Sequence, residues 1–366
     1  MLKLQEFLKE HPQDFRELLA EKPYAIKMQE DEYFILFKYS QIDSDFTNDL
    51  VRECRGIILD KIDWEVACHP FHKFGNYGES YVPSIDWDTV QVQEKLDGSL
   101  IKCWFNRYTG AWQWSTNGTI DAMSADLPDT LMKLGIENFK ELIDYTLEKM
   151  DQEHIINSMD ESFTYLFELC TPINKVVVPH KDYILYHLVT KHNLTGDEDT
   201  DRIGMIPQPK SYELHSLQAC IDSANELPFN EEGYVVVDVK CDRVKVKSPA
   251  YLAVHHLRGE GVIVMRRVLD LIRANEHEEF LIYYEEYKDV FDEMEMKYES
   301  FLKKLQKDVV LAIQYLKEDR KTYASWATKQ IMPSILFSFY DGKVQNVEEY
   351  LKDFISEKLL RYLKEF

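Results

Sequence analysis

Strand-forming sequence in this chain recurs up to about residue 248 and then stops. Tyr33–Tyr39, Thr89–Gln93, Leu100–Phe105, Ala111–Thr116, Thr164–Cys170, Tyr183–Val189, Glu231–Val239 and Arg243–Ser248 are short runs rich in aromatic and β-branched residues, the pattern of strands. Glycine or a polar turn punctuates most of them, so antiparallel connections are expected. Asn106-Arg107-Tyr108-Thr109-Gly110 reads as the loop of a hairpin and Thr190–Pro209 as a polar loop. Lys175–Val178 reads as a further strand, and residues 126–150, with Leu131, Leu134, Ile143 and Leu147, as a helix. Residues 2–21 carry helical spacing on both sides of Pro12. From about residue 252 the apolar period becomes helical, over Gly261–Ile272, Tyr283–Leu316, Tyr323–Gly342 and Val347–Phe366. A chain of 366 residues accommodates two domains at ~100–200 residues each. The expected fold class is therefore α+β, with antiparallel sheets in residues 1–254 and an all-α domain over 255–366.

The formal net charge of −22 opposes any extended nucleic-acid surface, because phosphate attraction ordinarily shows as a basic domain. An anion site here must be a local positive pocket. Much of the acidic excess lies between Glu276 and Glu299, where the plain reading is the solvated face of a helix. Arg258, Arg266, Arg267 and Arg273 are the basic residues of the helical part that could form a phosphate-facing stripe. Six cysteines occur without a Cys-x-x-Cys pair, which points to reduced thiols and no zinc; Cys68, His69 and His72 lack a second half-site. The amino terminus is too polar for a signal peptide and no apolar run approaches ~18 residues, so the expectation is a cytoplasmic protein without a membrane segment.

The chemistry-bearing residues sit at strand ends. Glu94-Lys95-Leu96-Asp97-Gly98-Ser99 follows a strand and places a lysine beside a turn-forming Asp-Gly. Lysine serves as a nucleophile near neutral pH only beside another cation or in a desolvating pocket; otherwise the segment is a lysine before a hairpin turn. Arg55 and Gly56 lead into one apolar strand, Lys73 and Phe74 precede a glycine turn, and Glu168 interrupts Thr164–Cys170. A charge in such a strand needs a partner, catalytic or structural. Glu232 precedes Gly233, and alternation in Arg243–Ser248 puts Lys245 and Lys247 on one face, either around an anion or on a solvent-facing edge. Together these residues describe a nucleotide pocket, with lysines and an arginine for phosphates and carboxylates for Mg²⁺ or a ribose.

In this order and spacing, Glu94-Lys95-Leu96-Asp97-Gly98-Ser99, Phe167-Glu168-Leu169, Glu232-Gly233-Tyr234-Val235 and Val244-Lys245-Val246-Lys247-Ser248 resemble motifs I, III, IV and V of the covalent nucleotidyltransferases. With Glu53-Cys54-Arg55-Gly56, Lys73-Phe74 and Asp319-Arg320-Lys321-Thr322-Tyr323-Ala324, the resemblance narrows to the bacteriophage T4 RNA ligase 1 family. It implies an ATP-grasp-like ligase adenylation domain and an ATP-dependent RNA ligase, with Mg²⁺ or Mn²⁺ as metal. Lys95 would form a lysyl-AMP, pass AMP to an RNA 5′-phosphate, and a 3′-hydroxyl would then displace AMP. By family position Glu94, Arg55, Lys73 and Phe74 would border the AMP, and Gly98 would permit its close approach. Glu168 would meet the ribose or a metal, and Glu232 the metal. Lys245, Lys247 and Tyr251 would lie at the α-phosphate.

The resemblance further implies a monomer acting on tRNA broken in its anticodon loop, recognised by the helical domain and served by an RNA 5′-kinase/3′-phosphatase. One position departs from the family: Ser115-Thr116-Asn117-Gly118-Thr119 puts Asn117 where a lysine is expected, and an amide cannot neutralise phosphate. DNA ligases and GTP-dependent capping guanylyltransferases share the lysine chemistry but call for a small β-barrel after motif V. A non-catalytic RNA-binding protein is the alternative from another class.

Overall fold

The computed structural model describes residues 1–125, 135–174, 178, 180–201, 203–228, 230–249, 251–252, 265–275, 277–278, 281, 287–317, 319–352, 354–364 and 366. The chain divides into two compact units, Met1–His255 and His256–Phe366.

Among the described residues the first unit contains three sheets. The first has the order β1-β2-β3-β4, from Ile26–Glu30, Phe34–Tyr39, Arg55–Asp60 and Val66–Cys68. One face of it buries Ile35, Phe37, Ile57 and Leu59 against Leu4 and Leu8 of α1 (Lys3–Glu10), Phe15 and Leu19 of α2 (Phe15–Ala20) and Leu50 of α3 (Asp49–Glu53). The other face packs Phe34, Leu36 and Ile58 on Trp104. Burying each such side chain contributes ~1.5–3 kcal/mol, which is why three short helices can hold to this sheet.

The second sheet, ordered β10-β9-β8-β6-β7, uses β6 (Ser99–Asn106), β7 (Ala111–Thr116), β8 (Phe163–Cys170), β9 (Ile184–His192) and β10 (Glu198–Asp199). Tyr165, Phe167 and Leu169 face α4 (Phe139–Lys149) through Leu142, Ile143 and Leu147. The third sheet, ordered β11-β5-β12-β13, consists of β5 (Gln91–Glu94), β11 (Ser211–Tyr212), β12 (Gly233–Val237) and β13 (Arg243–Lys247). Its core face carries Val92, Tyr234, Val236, Val244 and Val246 against Cys220 and Ala224 of α5 (Leu217–Glu226). All ladders between named strands are antiparallel among the described residues.

The structure corrects several local readings. Lys95–Gly98 is no hairpin turn, because β5 and β6 belong to different sheets. The region 190–209 is not all loop: β9 runs to His192 and β10 pairs with it, since Glu198 is buried by ion pairs to Lys191 and Arg243. Among the described residues the helix expected over 126–150 starts only at Phe139, where Asn138 caps it by accepting from Glu141 N–H; Leu131 and Leu134 lie outside the described residues, as do 175–177 of the expected strand Lys175–Val178.

The second unit is built on α7 (Lys288–Tyr315), with α6 (Met265–Ala274), α8 (Arg320–Ala327), α9 (Pro333–Tyr340), α10 (Val347–Leu351) and α11 (Ser356–Leu363). Phe291, Met294, Tyr298, Phe301, Leu305, Val309 and Ala312 form the buried stripe of α7, while Asp289, Asp292, Glu293 and Glu299 are exposed, the solvated acidic face expected. Asp319 caps α8 by accepting from Lys321 and Thr322 N–H, and the buried Tyr323 hydroxyl donates to Leu336 O at 2.6 Å. The Asp319–Ala324 motif thus closes a helix and anchors a core. Arg273 does not belong to a phosphate-facing stripe: its guanidinium donates to the carbonyls of Leu351 and Phe354 and to Ser356 Oγ. Arg266 is exposed near Asp270; Arg258 and the Arg267 side chain lie outside the described residues. No helix among the described residues is long and apolar enough to cross a membrane.

Candidate active site

The segment Lys95–Gly98 crosses from the third sheet to the second and is pinned at both ends. Lys95 N–H donates to Gly233 O at 2.8 Å, and Gly98 N–H donates to Glu168 Oε1 at 3.1 Å. Asp97, only 5% exposed, holds the middle. Its carboxylate accepts from Val178 N–H at 2.6 Å and from the Tyr251 hydroxyl at 3.0 Å. Its carbonyl accepts from His180 Nε2 at 2.5 Å. Asn174 Nδ2 donates to Ser99 Oγ and Leu169 O. Gly98 is required by space, because a Cβ there would stand 2.4 Å from Leu169 O.

This crossing borders a cavity of about 510 Å³ lined by residues of the second and third sheets. Arg55, Phe74, Glu94, Lys95, Gly98, Glu168 and Lys245 are on its wall, as is Asn117. Glu232 and Lys247 stand directly behind Lys95: Glu232 Oε1 is 2.5 Å from Lys95 Nζ and 3.6 Å from Lys247 Nζ. Lys73 lines an adjoining cavity instead, with its ammonium 4.7 Å from the Phe46 ring centroid. Tyr251 is buried, and its hydroxyl donates to Asp97. Phe74 carries two cations, Arg55 at 5.1 Å and Lys245 at 5.0 Å from its centroid, each a cation–π contact.

The electrostatics are those of a site built for an anion. Burial pushes the Lys245 ammonium well below the usual lysine range, and Lys73, Lys247, Lys95 and Arg55 add to that shift. Burial likewise raises Glu168 to about 7; Lys95 opposes this, Glu232 reinforces it, and Arg55 and the Gly98 N–H oppose it. Arg55 Nη1 and Asn117 Oδ1 are buried without a hydrogen-bond partner. The orphaned Arg55 donor beside clustered cations fits an anionic ligand, and the Asn117 acceptor fits an N–H or O–H of the same ligand. A divalent cation fits only in part: Glu168 and Glu232 flank Lys95, yet no group of three or more His, Cys, Asp or Glu side chains able to hold a metal occurs among the described residues. That suits an ion of the Mg²⁺ type, which takes one or two carboxylates and completes its shell with phosphate oxygens and water.

Sequence reasoning missed four contributors. Arg243 continues the Lys245–Lys247 face of β13 and lines the cavity, and the same alternation could have included it. Phe71 lies 4.5 Å under the Arg243 guanidinium. Lys102, fully buried, donates to Gly56 O and fixes the bend after Arg55, where Gly56 has φ +77° and would carry a Cβ 2.6 Å from Asn117 O. Asp97 as a hub has no local signal, since Tyr251 is 154 residues away.

Residues 53–251, more than half the chain, match the family model described as RNA ligase. A protein of Autographa californica nuclear polyhedrosis virus named as a bifunctional polynucleotide kinase/RNA ligase is 29% identical over 72% of this chain and 39% of its own length. This chain therefore spans well under half of that relative. The RNA ligase of Rhodothermus phage RM378 is 24% identical, covering 97% of this chain and 96% of its own. Among solved structures, an archaeal ATP-dependent RNA ligase aligns with 80% of this chain and 79% of its own at 15% identity and a TM-score of 0.42.

Proposed function

The chain belongs to the RNA ligase family of the T4 RNA ligase 1 type, and from that membership and the lysine-centred cavity we propose that it is an ATP-dependent RNA ligase working through a lysyl-AMP. The observation that carries this reading is Lys95 at the cavity wall, with Glu232 and Lys247 behind it and two further cations, Arg55 and Lys245, on the same wall.

In the first step Lys95 Nζ attacks the α-phosphorus of ATP. A P–N bond forms, the bond to the bridging oxygen breaks, and pyrophosphate leaves. Arg55, Lys245 and Lys247 stabilise charge on the phosphates, Glu94 and Phe74 border the nucleoside, and Asp97, locked by Tyr251, holds the lysine segment in register. Attack requires the free amine, so Glu232 is the group that must release Lys95. A bound Mg²⁺ or Mn²⁺ would supply charge neutralisation at the triphosphate, with Glu232 and Glu168 as the residues to hold it. An RNA 5′-phosphate oxygen then attacks the adenylyl phosphorus and the P–N bond breaks, restoring Lys95. Finally a 3′-hydroxyl attacks that 5′-phosphate and AMP departs.

The finer reading follows the family resemblance: a cytoplasmic monomer that reseals tRNA broken in its anticodon loop, after a kinase/phosphatase has prepared the ends. The name of the viral relative, a kinase joined to a ligase, supports such a pairing. Residues 1–254 would be the adenylylating domain and 255–366 the helical, tRNA-recognising one. The helical second unit favours this over the DNA ligases and capping enzymes, which call for a β-barrel at that point.

The test is incubation with ATP or GTP labelled at the α-phosphate, with Mg²⁺, followed by denaturing electrophoresis and mapping of the labelled peptide. Label from ATP on Lys95 is expected. Label from GTP alone would turn the reading to capping chemistry. No label, in protein free of prior AMP, would leave a binding protein. Nicked tRNA compared with linear RNA then tests the substrate.

A further inference from the structure

A second cavity of about 370 Å³ adjoins the first. The two share Phe71, Phe74, Glu198, Cys241 and Arg243, so a ligand in one touches the partition of the other. Its wall has five basic side chains, Arg52, Lys73, Lys191, Lys240 and Arg243, and two carboxylates, Glu198 and Asp242. Glu198 is already engaged by Arg243 and by Lys191 at 3.3 Å, so its charge is spent within the wall. In a chain of net charge −22, a concave site with a local cation excess is where a polyanion can approach.

The wall is also aromatic. His69 and His72 stack with centroids 6.0 Å apart and an interplanar angle of 29°, and His72 is exposed. The exposed ring presents a π-face to the cavity. Gly196 closes over His69 from behind: its φ is +78°, and a Cβ there would lie 3.2 Å from His69 Cε1. Cations interleaved with stacking rings in a groove are what a single-stranded nucleic acid requires, one set for the backbone and the other for the bases.

We propose that this second cavity, between His72 and Lys240, seats the RNA strand whose 5′-phosphate receives AMP, with Lys240 on a backbone phosphate and the His72 ring under a base. The inference rests on the ligase reading and adds where the strand enters. From here the 5′ end reaches the adenylate across the Phe71–Phe74 partition. The test uses the full chain with His72→Ala, Lys240→Glu and the double variant, both positions being exposed. Labelling of Lys95 by ATP is measured first. Transfer of the label to a 5′-phosphorylated RNA of about ten nucleotides, a length within the ~4–16 that one such groove spans, is then followed as RNA and salt are varied.

The expected result is unchanged Lys95 labelling. The RNA concentration for half-maximal transfer should rise about tenfold in each single variant. The salt dependence of Lys240→Glu should be shallower by about one contact. An unchanged RNA requirement would overturn the proposal. So would a parallel rise in the ATP requirement, which would give the cavity to the triphosphate. Failure of the unmodified protein to label at all would remove the ligase reading itself and this inference with it.

Discussion

Lys95 Nζ and Glu232 Oε1 stand 2.5 Å apart, with Glu232 only 5% exposed and Lys247 3.6 Å from the same oxygen. Lys95 directly follows strand β5 and Glu232 directly precedes β12, and these strands pair, so the contact is set by sheet register. Lys95→Ala should abolish the AMP adduct. It leaves Glu232 with Lys247 as its remaining ion-pair partner, so unfolding should come earlier by about 1–3 kcal/mol without loss of the fold. Adding Glu232→Gln should recover part of that stability and none of the labelling. A Lys95→Ala protein that labels at the normal rate would assign the chemistry to another residue.

Glu168 predicts a pH dependence of opposite sense to the usual carboxylate. Burial raises it to about 7, against an ordinary value near ~4.3, so the folded state binds this proton more tightly than the unfolded chain. Its contribution to stability is present in full below ~4.3 and is lost as pH rises through about 7. Glu168→Gln keeps an acceptor for Gly98 N–H and removes the titration. The ligand-free variant should therefore gain on the wild type between pH 5 and 8, by at most about 3 kcal/mol. Urea midpoints at pH 5, 6, 7 and 8 decide it; parallel curves would mean that Glu168 ionises normally.

Gly98→Ala separates strain from chemistry. The new methyl would meet Leu169 O at 2.4 Å and Cys170 Sγ at 2.9 Å, and neither backbone nor packed sulfur can give way cheaply. The start of β6 must move, taking the Gly98 N–H from Glu168 and tilting Lys95. The expectation is a loss of about 1–3 kcal/mol in stability and at least a hundredfold slower adduct formation, read from urea midpoints and from single-turnover labelling. Wild-type labelling kinetics in this variant would show that the segment's position does not govern attack.

Much of this could be read beforehand because alternation is a strong signal. Val244 and Val246 are buried while Lys245 faces the cavity and Lys247 turns to Glu232, as period two demands. Glu168 stands opposite the Tyr165–Phe167–Leu169 core face for the same reason. Short or long-range features were not legible. Helix α5 is brief and polar, although Ser216 caps it by accepting from Ala219 N–H. Strand β1 has a mixed pattern, with only Ile26 fully buried. Arg273 looked like a phosphate ligand because a guanidinium's partners are invisible in sequence; here they are carbonyls more than 75 residues away. Tyr251, expected at the α-phosphate, donates its hydroxyl to Asp97, a contact across 154 residues that no local pattern shows.

Beside Asn117, where the resemblance calls for a lysine, stands another cation of the chain. Lys38, on β2 and paired across the ladder with Arg55, brings its Nζ to 3.2 Å from where a Cβ of Gly118 would lie, so an ammonium already stands beside the turn that carries Asn117. It is close enough to Lys102 to help depress that buried amine to about 8. If this charge serves the phosphates, Lys38→Met should raise the ATP concentration for half-maximal Lys95 labelling about tenfold, equivalent to about 1.4 kcal/mol. Asn117→Lys alone should change it less than about threefold, because it adds a cation where Arg55 and Lys38 already repel it. The double variant should return toward the wild type, and that coupling is the decisive quantity. Two independent effects that simply add would mean that Lys38 supports the turn sterically and supplies no charge to the site.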